Sequence, residues 1–228
     1  MGLVFAAAIV LSLFAGAFSI GRSSGSNKPM QANEQPDAAA DQPAKSDTPV
    51  PAPTVVAAKR YTAAPPLTID PSKRYTATIK TTKGDIQIEL YPDQAPQAVN
   101  AFVFLAKDGY YNTTPFMQVV ADAPRFYALA GDPTRTGLGT PGFSVKKELT
   151  SKPFVKGSLG MGGTSEDSNG GQFFISFGDY PALNGKYTIF GQVVSGLDVL
   201  DKLSLLDVSK RSATGSGDEI QSVTITES

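Results

Sequence analysis

Eight prolines fall within the 49 residues from Arg22 to Asp70, and they bound what this chain can fold. The stretch is rich in Pro, Ala, Ser, Gln and Asp and has no apolar periodicity of 2 or 3.6. It cannot bury enough surface to offset the entropy of ordering it. Residues 22–71 are therefore expected to be a disordered linker, spanning roughly 35–42 Å as a flexible coil and more where prolines stiffen it. Any globular domain must follow it, in residues 72–228.

Before the linker, Gly2 to Gly21 carries no charged side chain, and Arg22 is the first. Twenty residues at ~1.5 Å rise make a helix of roughly 30 Å, the thickness of a bilayer's hydrocarbon core. Residues 1–21 are expected to be a single-pass membrane anchor. A signal segment cleaved near Ala15-Gly16-Ala17 is the alternative, although the basic leading region of such segments is missing. Arg22 and Lys28 after the span favour a cytoplasmic domain under the positive-inside bias, but two charges weigh little. The expected location is membrane-anchored with the domain extracytoplasmic, or secreted after cleavage.

The last part of the chain reads as one domain. Ala77 and Ile79, then Ile86, Ile88 and Leu90, alternate with polar residues around a turn at Lys83-Gly84-Asp85, which predicts a hairpin. Pro96 opens a helix whose Val99, Phe102, Val103 and Ala106 share one face and which Gly109 stops. Short strand-like runs follow at 116–120, 126–130, 143–145, 158–161, 172–177 and 187–194. A second helix is expected at 197–205, with Ser195 and Asp198 as a capping pair, and a closing strand at 220–225. This order predicts a mainly β fold: a closed eight-stranded antiparallel barrel capped by two helices.

Composition excludes much chemistry. With no His and no Cys there is no Ser-His-Asp or Cys-His nucleophile and no imidazole or thiolate zinc site. With 20 Lys+Arg against 21 Asp+Glu, electrostatic capture of nucleic acid is not expected. Gly137-Leu138-Gly139-Thr140-Pro141-Gly142 matches G-x-G-x-x-G, but Pro141 interrupts it and strand character follows, so it reads as a tight surface loop. Gly157 to Gly171 holds six glycines without a following G-K-[ST] and reads as a solvated loop, and adjacent Glu166 and Asp167 do not make a metal site. Phe116, Phe126, Phe173 and Phe174, taken alone, read as core.

Longer blocks change that reading. Asp85-Ile-Gln-Ile-Glu-Leu-Tyr91, Ala95-Pro96-x-x-Val99-Asn100-x-Phe102 and Leu105-Ala106-x-x-Gly109-Tyr110-Tyr111 resemble the opening of the cyclophilins. So do Gly131-Asp132-Pro133 with Gly137-x-Gly139-x-Pro141-Gly142, Asn169-Gly170-Gly171-Gln172-Phe173-Phe174-Ile175, and Leu183-Asn184-Gly185-Lys186 leading into Ile189-Phe190-Gly191. The blocks run in family order over residues 72–228. The resemblance implies a peptidyl-prolyl cis/trans isomerase that needs no cofactor, acts on proline-containing polypeptides and is expected to be a monomer. It implies catalytic roles for Gln118, Phe126 and Gln172. It implies substrate contacts from Tyr127, Leu129, Gly162, Gly163, Phe174, Ala182, Leu183 and Tyr187.

Most departures from the family pattern are polar. Phe116-Met117-Gln118 stands where the family writes Phe-His-Arg, so Gln118 replaces the arginine held to assist the proline nitrogen. Leu129 stands where a Gln is usual, Gly163 where an Asn is, Ala182 where a Trp or Phe often lies, and Tyr187 where a His is usual. Arg125 shares strand parity with Tyr127 and Leu129, and on that ground is expected to reach the pocket rim and restore part of the lost charge. Two functions remain open: an isomerase with reduced turnover, or a weakly catalytic module that binds proline segments. Ala52-Pro53 and Ala64-Pro65-Pro66 in the linker are expected to compete weakly for the pocket.

Overall fold

The computed structural model describes residues 59–118, 125–163, 167–208 and 217–228. The hydrophobic run 1–21 and the linker before Lys59 lie outside the described residues, so the expected anchor does too. Among the described residues no helix is long and apolar enough to cross a membrane.

The first hairpin pairs β1 (Tyr75–Thr81) with β2 (Gly84–Leu90). Its turn is Thr82-Lys83, because Gly84 is already paired with Thr81. The helix α1 (Pro96–Lys107) has Pro96 in its first turn as expected. Then come β3 (Met117–Gln118), β4 (Tyr127–Ala130), β5 (Val145–Lys146), β6 (Ser158–Gly163), β7 (Asp167–Ser176) and β8 (Ile189–Ser195). The chain ends in α2 (Leu197–Lys202), β9 (Leu206–Asp207) and β10 (Ile220–Glu227). The glycine-rich stretch Gly157–Gly171 is thus largely the β6–β7 hairpin rather than a loop, with Glu166 outside the described residues.

The strands form one sheet in the order β10-β1-β2-β8-β6-β7-β4-β3-β9, with β5 on β7. The expected closed, all-antiparallel barrel does not form. The sheet is a curled, open half-barrel, and its last pair, β3 with β9, is parallel. Between the β10 and β3 sides stands an isolated bridge, Pro115 to Glu219, flanked by Phe116 N–H to Asp218 C=O (2.8 Å) and Ile220 N–H to Thr114 C=O (2.9 Å). Pro115 has no N–H to give, so a regular ladder cannot run through it.

The main core lies between the inner face of the sheet and the two helices. α1 packs across β10, β7 and β5, and α2 sits on β2. Phe102 meets Phe173 edge-on at 5.4 Å and Phe190 at 5.5 Å, and all three are fully buried. α1 has no side-chain cap of its own at Ala95. Glu148 supplies one from the loop after β5, accepting the N–H groups of Gln97 and Ala98, each at 2.9 Å. A carboxylate there satisfies orphan donors and meets the positive end of the helix dipole. Glu148→Ala is expected to cost about 1 kcal/mol, read as a lower denaturant midpoint at unchanged slope. For α2 the expected Ser195–Asp198 capping pair does not form. Gly196 holds the N-cap without a side-chain bond, Ser195 closes β8, and Asp198 instead pairs with Lys202 at 2.8 Å.

The domain also begins earlier than composition suggests. Residues 59–70 are a strap along α1 rather than free linker. Asn100 accepts the Thr68 N–H (2.9 Å) and donates to the Pro66 carbonyl (3.0 Å), and Ile69 is buried in the core. Tyr61 places its ring 5.2 Å from Phe104 and 6.1 Å from Phe143, and its hydroxyl donates to Asp108 at 2.6 Å. Ala64-Pro65-Pro66 is therefore held on α1. Ala52-Pro53 lies outside the described residues.

Candidate active site

Strand alternation divides the aromatic residues between two faces. Along β7, Phe173 and Ile175 enter the main core while Phe174 points to the opposite face. Along β4, Ala128 and Ala130 enter the core while Tyr127 and Leu129 face outward. A second, smaller apolar cluster results on the outside of the half-barrel. It holds Met117, Leu129, Phe154, Phe174, Ile189 and Leu206, with Tyr127, Tyr180, Leu183 and Tyr187 half-buried around them.

Phe174 is the centre of this cluster. Leu129 is its cross-strand partner on β4 and Gly160 its partner on β6. A Cβ at Gly160 would collide with the Phe174 ring, so glycine leaves the space the ring occupies. Phe154 stacks on Phe174 at 5.5 Å and 17°, Tyr187 meets it edge-on at 5.6 Å, and Tyr127 lies 5.5 Å away. Phe126, just before β4, is half-buried and contacts the Tyr180 ring at 5.6 Å. Leu183 lies on a single 3-10 turn, Pro181–Leu183, at the edge of the cluster. Ala182 on the same turn is exposed and is not part of the cluster.

The polar residues are arranged differently from expectation. Gln172 is buried, and its amide donates to the Gly137 carbonyl (3.1 Å) and the Gly139 carbonyl (2.8 Å). Both N–H donors of this side chain, to which the resemblance gave a catalytic role, thus go to the loop at Gly137–Gly142. That loop is also organised from inside by Asp132, whose carboxylate accepts from Thr134, Thr136 and Gly139 backbone N–H groups at 2.7, 3.1 and 3.0 Å. Gly162 and Gly163 continue β6 beyond its last pairing with β8, and Gly162 lies against the Gln172 side chain. Gln118 is half-buried on β3 opposite Asp207, and its carbonyl accepts the Val208 N–H at 3.0 Å.

Arg125 does not reach the pocket rim. Its guanidinium donates to the Asp201 and Leu203 carbonyls at 3.0 and 2.6 Å and lies 4.3 Å from the Phe177 ring centroid. β4 begins only at Tyr127, so strand parity does not extend back to Arg125. The end of a helix, with its unpaired carbonyls, is a favourable place for a cation.

Burial pushes the Tyr127 and Tyr187 phenols above their ordinary value, and the neighbouring Tyr187 adds to the effect on Tyr127. Both are neutral at physiological pH. Lys147, over the Tyr187 ring at 5.3 Å, is shifted down by burial. Among the described residues no three or more Asp or Glu converge to hold a metal ion. The site offers a half-exposed aromatic surface, backbone edges and neutral donors. Phe154, Met117 and Leu206 were not foreseen from sequence. Phe154 follows a proline outside any periodic segment, and Leu206 sits on a two-residue strand.

The family model described as cyclophilin type peptidyl-prolyl cis-trans isomerase/CLD matches residues 76–225, which contain the whole cluster. The chain belongs to the cyclophilin family. As a cyclophilin it is a peptidyl-prolyl cis-trans isomerase by class. A peptidyl-prolyl cis-trans isomerase of Helicobacter pylori is 46% identical over 136 residues, covering 58% of this chain and 82% of that protein. Peptidyl-prolyl cis-trans isomerase B of Bacillus subtilis is 40% identical over 127 residues, covering 55% of this chain and 87% of its own length. A Cryptosporidium parvum cyclophilin crystal structure superposes with a TM-score of 0.58 at 29% identity, over 68% of this chain and 98% of that one. A second crystal structure of that protein, determined in the presence of the dipeptide Ala-Pro, gives 0.57 over 66% and 98%. The strap lies before the matched stretch.

Proposed function

We propose that this cyclophilin domain turns X-Pro bonds of polypeptide clients on the outer-face aromatic cluster, at a rate lowered by Gln118. The observation that carries the reading is the aromatic cluster around Phe174, with Tyr127, Leu183 and Tyr187 only half-buried at its edge and Phe126 against Tyr180. A pyrrolidine ring fits such a surface. The amide resists rotation by ~18–20 kcal/mol because its nitrogen shares a lone pair with the carbonyl. A donor near that nitrogen engages the lone pair only once the bond has twisted, so it stabilises the transition state alone. Gln118, next to Met117 of the cluster, keeps an N–H donor but lacks the charge and reach of the family's arginine. No proton transfer and no covalent step is needed, which suits a chain without His or Cys.

A second reading, a module that binds proline segments and scarcely turns them over, is favoured by Gln172 being spent on the loop. Exchange NMR on a proline peptide separates the two. The isomerase produces cis–trans exchange peaks at catalytic protein concentration, and a pure binder shifts resonances without them. The uncharged run at residues 2–21 supports a membrane-anchored domain, whose clients on this reading are newly exported, unfolded chains. Deleting residues 2–21 should then release the protein from alkali-washed membranes, and unchanged partition would remove this part.

A further inference from the structure

The strap at residues 59–70 precedes the family match and touches the Gly137–Gly142 loop that Gln172 holds. We propose that this strap is a positioning element for the isomerase site: it fixes the Gly137–Gly142 loop and, through it, the side chain of Gln172. The proposal rests on the isomerase reading above.

Three contacts make the chain of support. The Tyr61 N–H donates to the Pro141 carbonyl at 2.7 Å. The Tyr61 carbonyl lies where a Cβ at Gly142 would be, and Gly142 has φ 102, so that residue accepts the strap only as glycine. Pro141 in turn lies against Gly171, the residue before Gln172. Gln172 then holds the Gly137 and Gly139 carbonyls and packs against Gly162 of β6. Asp132 secures the first half of the loop, up to Gly139. The second half, Pro141-Gly142, is held by the strap at the Pro141 carbonyl and by the Thr140 hydroxyl, which accepts the Gly142 N–H at 3.2 Å.

The strap itself is pinned at two separate ends. Near the loop, the Tyr61 hydroxyl and the Lys59 ammonium both bond to Asp108 at the end of α1, at 2.6 and 3.0 Å. At the other end Asn100 holds Pro66, Thr68 and Ile69. Only the first end adjoins the loop, so the two can be released separately. A wall residue displaced by a fraction of an ångström is enough to weaken a geometrically demanding site.

The test uses the full chain with four variants: Tyr61→Ala, Tyr61→Phe, Asp108→Ala and Asn100→Ala. Two signals are read, the Gln172 side-chain amide resonances and the KM and kcat for an X-Pro peptide. Tyr61→Ala is expected to shift the Gln172 amide and raise KM on the order of tenfold with a smaller change in kcat. Tyr61→Phe, which keeps the ring, is expected to restore most of the loss. Asp108→Ala, at an exposed position that does not threaten folding, should move both signals in the same direction by less. Asn100→Ala should lower thermal stability while leaving both in place. The proposal is overturned if the Gln172 amide is unmoved in both Tyr61→Ala and Asp108→Ala, or if Asn100→Ala moves both signals equally. Absence of turnover in the unaltered chain would instead refute the isomerase reading, while the Gln172 amide still reports on the strap.

Discussion

Gln118→Arg is expected to raise turnover of an X-Pro peptide by about 10²–10³-fold, which corresponds to about 2.7–4 kcal/mol of transition-state stabilisation. That is the effect of one preorganised donor. The arginine delocalises a permanent charge over a rigid fork, whereas the glutamine amide offers a shorter, neutral dipole. Position 118 lies on β3, with Met117 paired to Leu129 of the cluster and Gln118 itself opposite Asp207. A guanidinium at 118 would have that carboxylate as its register neighbour. The gain should appear in kcat more than in KM, because the donor acts only on the twisted amide. Unchanged turnover would mean that the loss resides in the other altered polar positions, Leu129 and Tyr187, and not at 118.

Phe174→Ala is the second large effect, and it couples stability to function. The ring is almost fully buried, is stacked by Phe154, and fills the space that Gly160 leaves open. Removing it should cost about 3–5 kcal/mol of stability, since the strands on either side cannot collapse into the gap. The seat for the proline ring goes with it, so turnover should vanish even under conditions where the variant remains folded. Phe126→Ala is the control. Its ring is only half-buried, against Tyr180, so a stability loss of roughly 1 kcal/mol is expected while turnover is lost. Equal activity in Phe126→Ala and the unaltered chain would place the seat elsewhere.

How much was legible depends on whether a residue's role is local. α1 was legible because Pro96 and the Val99, Phe102, Val103, Ala106 face are periodic features of one segment. The division of Phe173 from Phe174 follows from strand alternation alone. The strap was not legible, because a proline-rich composition conceals that Tyr61 and Ile69 have partners on α1 and at Phe143. Arg125 is not legible because it precedes β4, where strand parity with Tyr127 and Leu129 no longer holds. The open sheet follows from a missing N–H at Pro115 and from the parallel β3–β9 pair, neither of which leaves a pattern. Gln172 keeps its family position but donates to loop carbonyls, and only the path of that loop reveals it. Glu148 capping α1 from a distant loop is of the same kind.

The central claim is that the outer-face cluster around Phe174 is where a proline ring lodges and its bond turns. Titrating the isotope-labelled chain with an Ala-Pro-containing peptide tests this most directly. The account predicts shifts centred on Phe126, Tyr127, Phe174 and Leu183, together with faster cis–trans exchange of the peptide, and both lost in Phe126→Ala. Shifts confined to the groove that Arg60, Thr136, Leu138 and Thr140 line on the strap side, or peptide exchange that persists in Phe126→Ala, would contradict it.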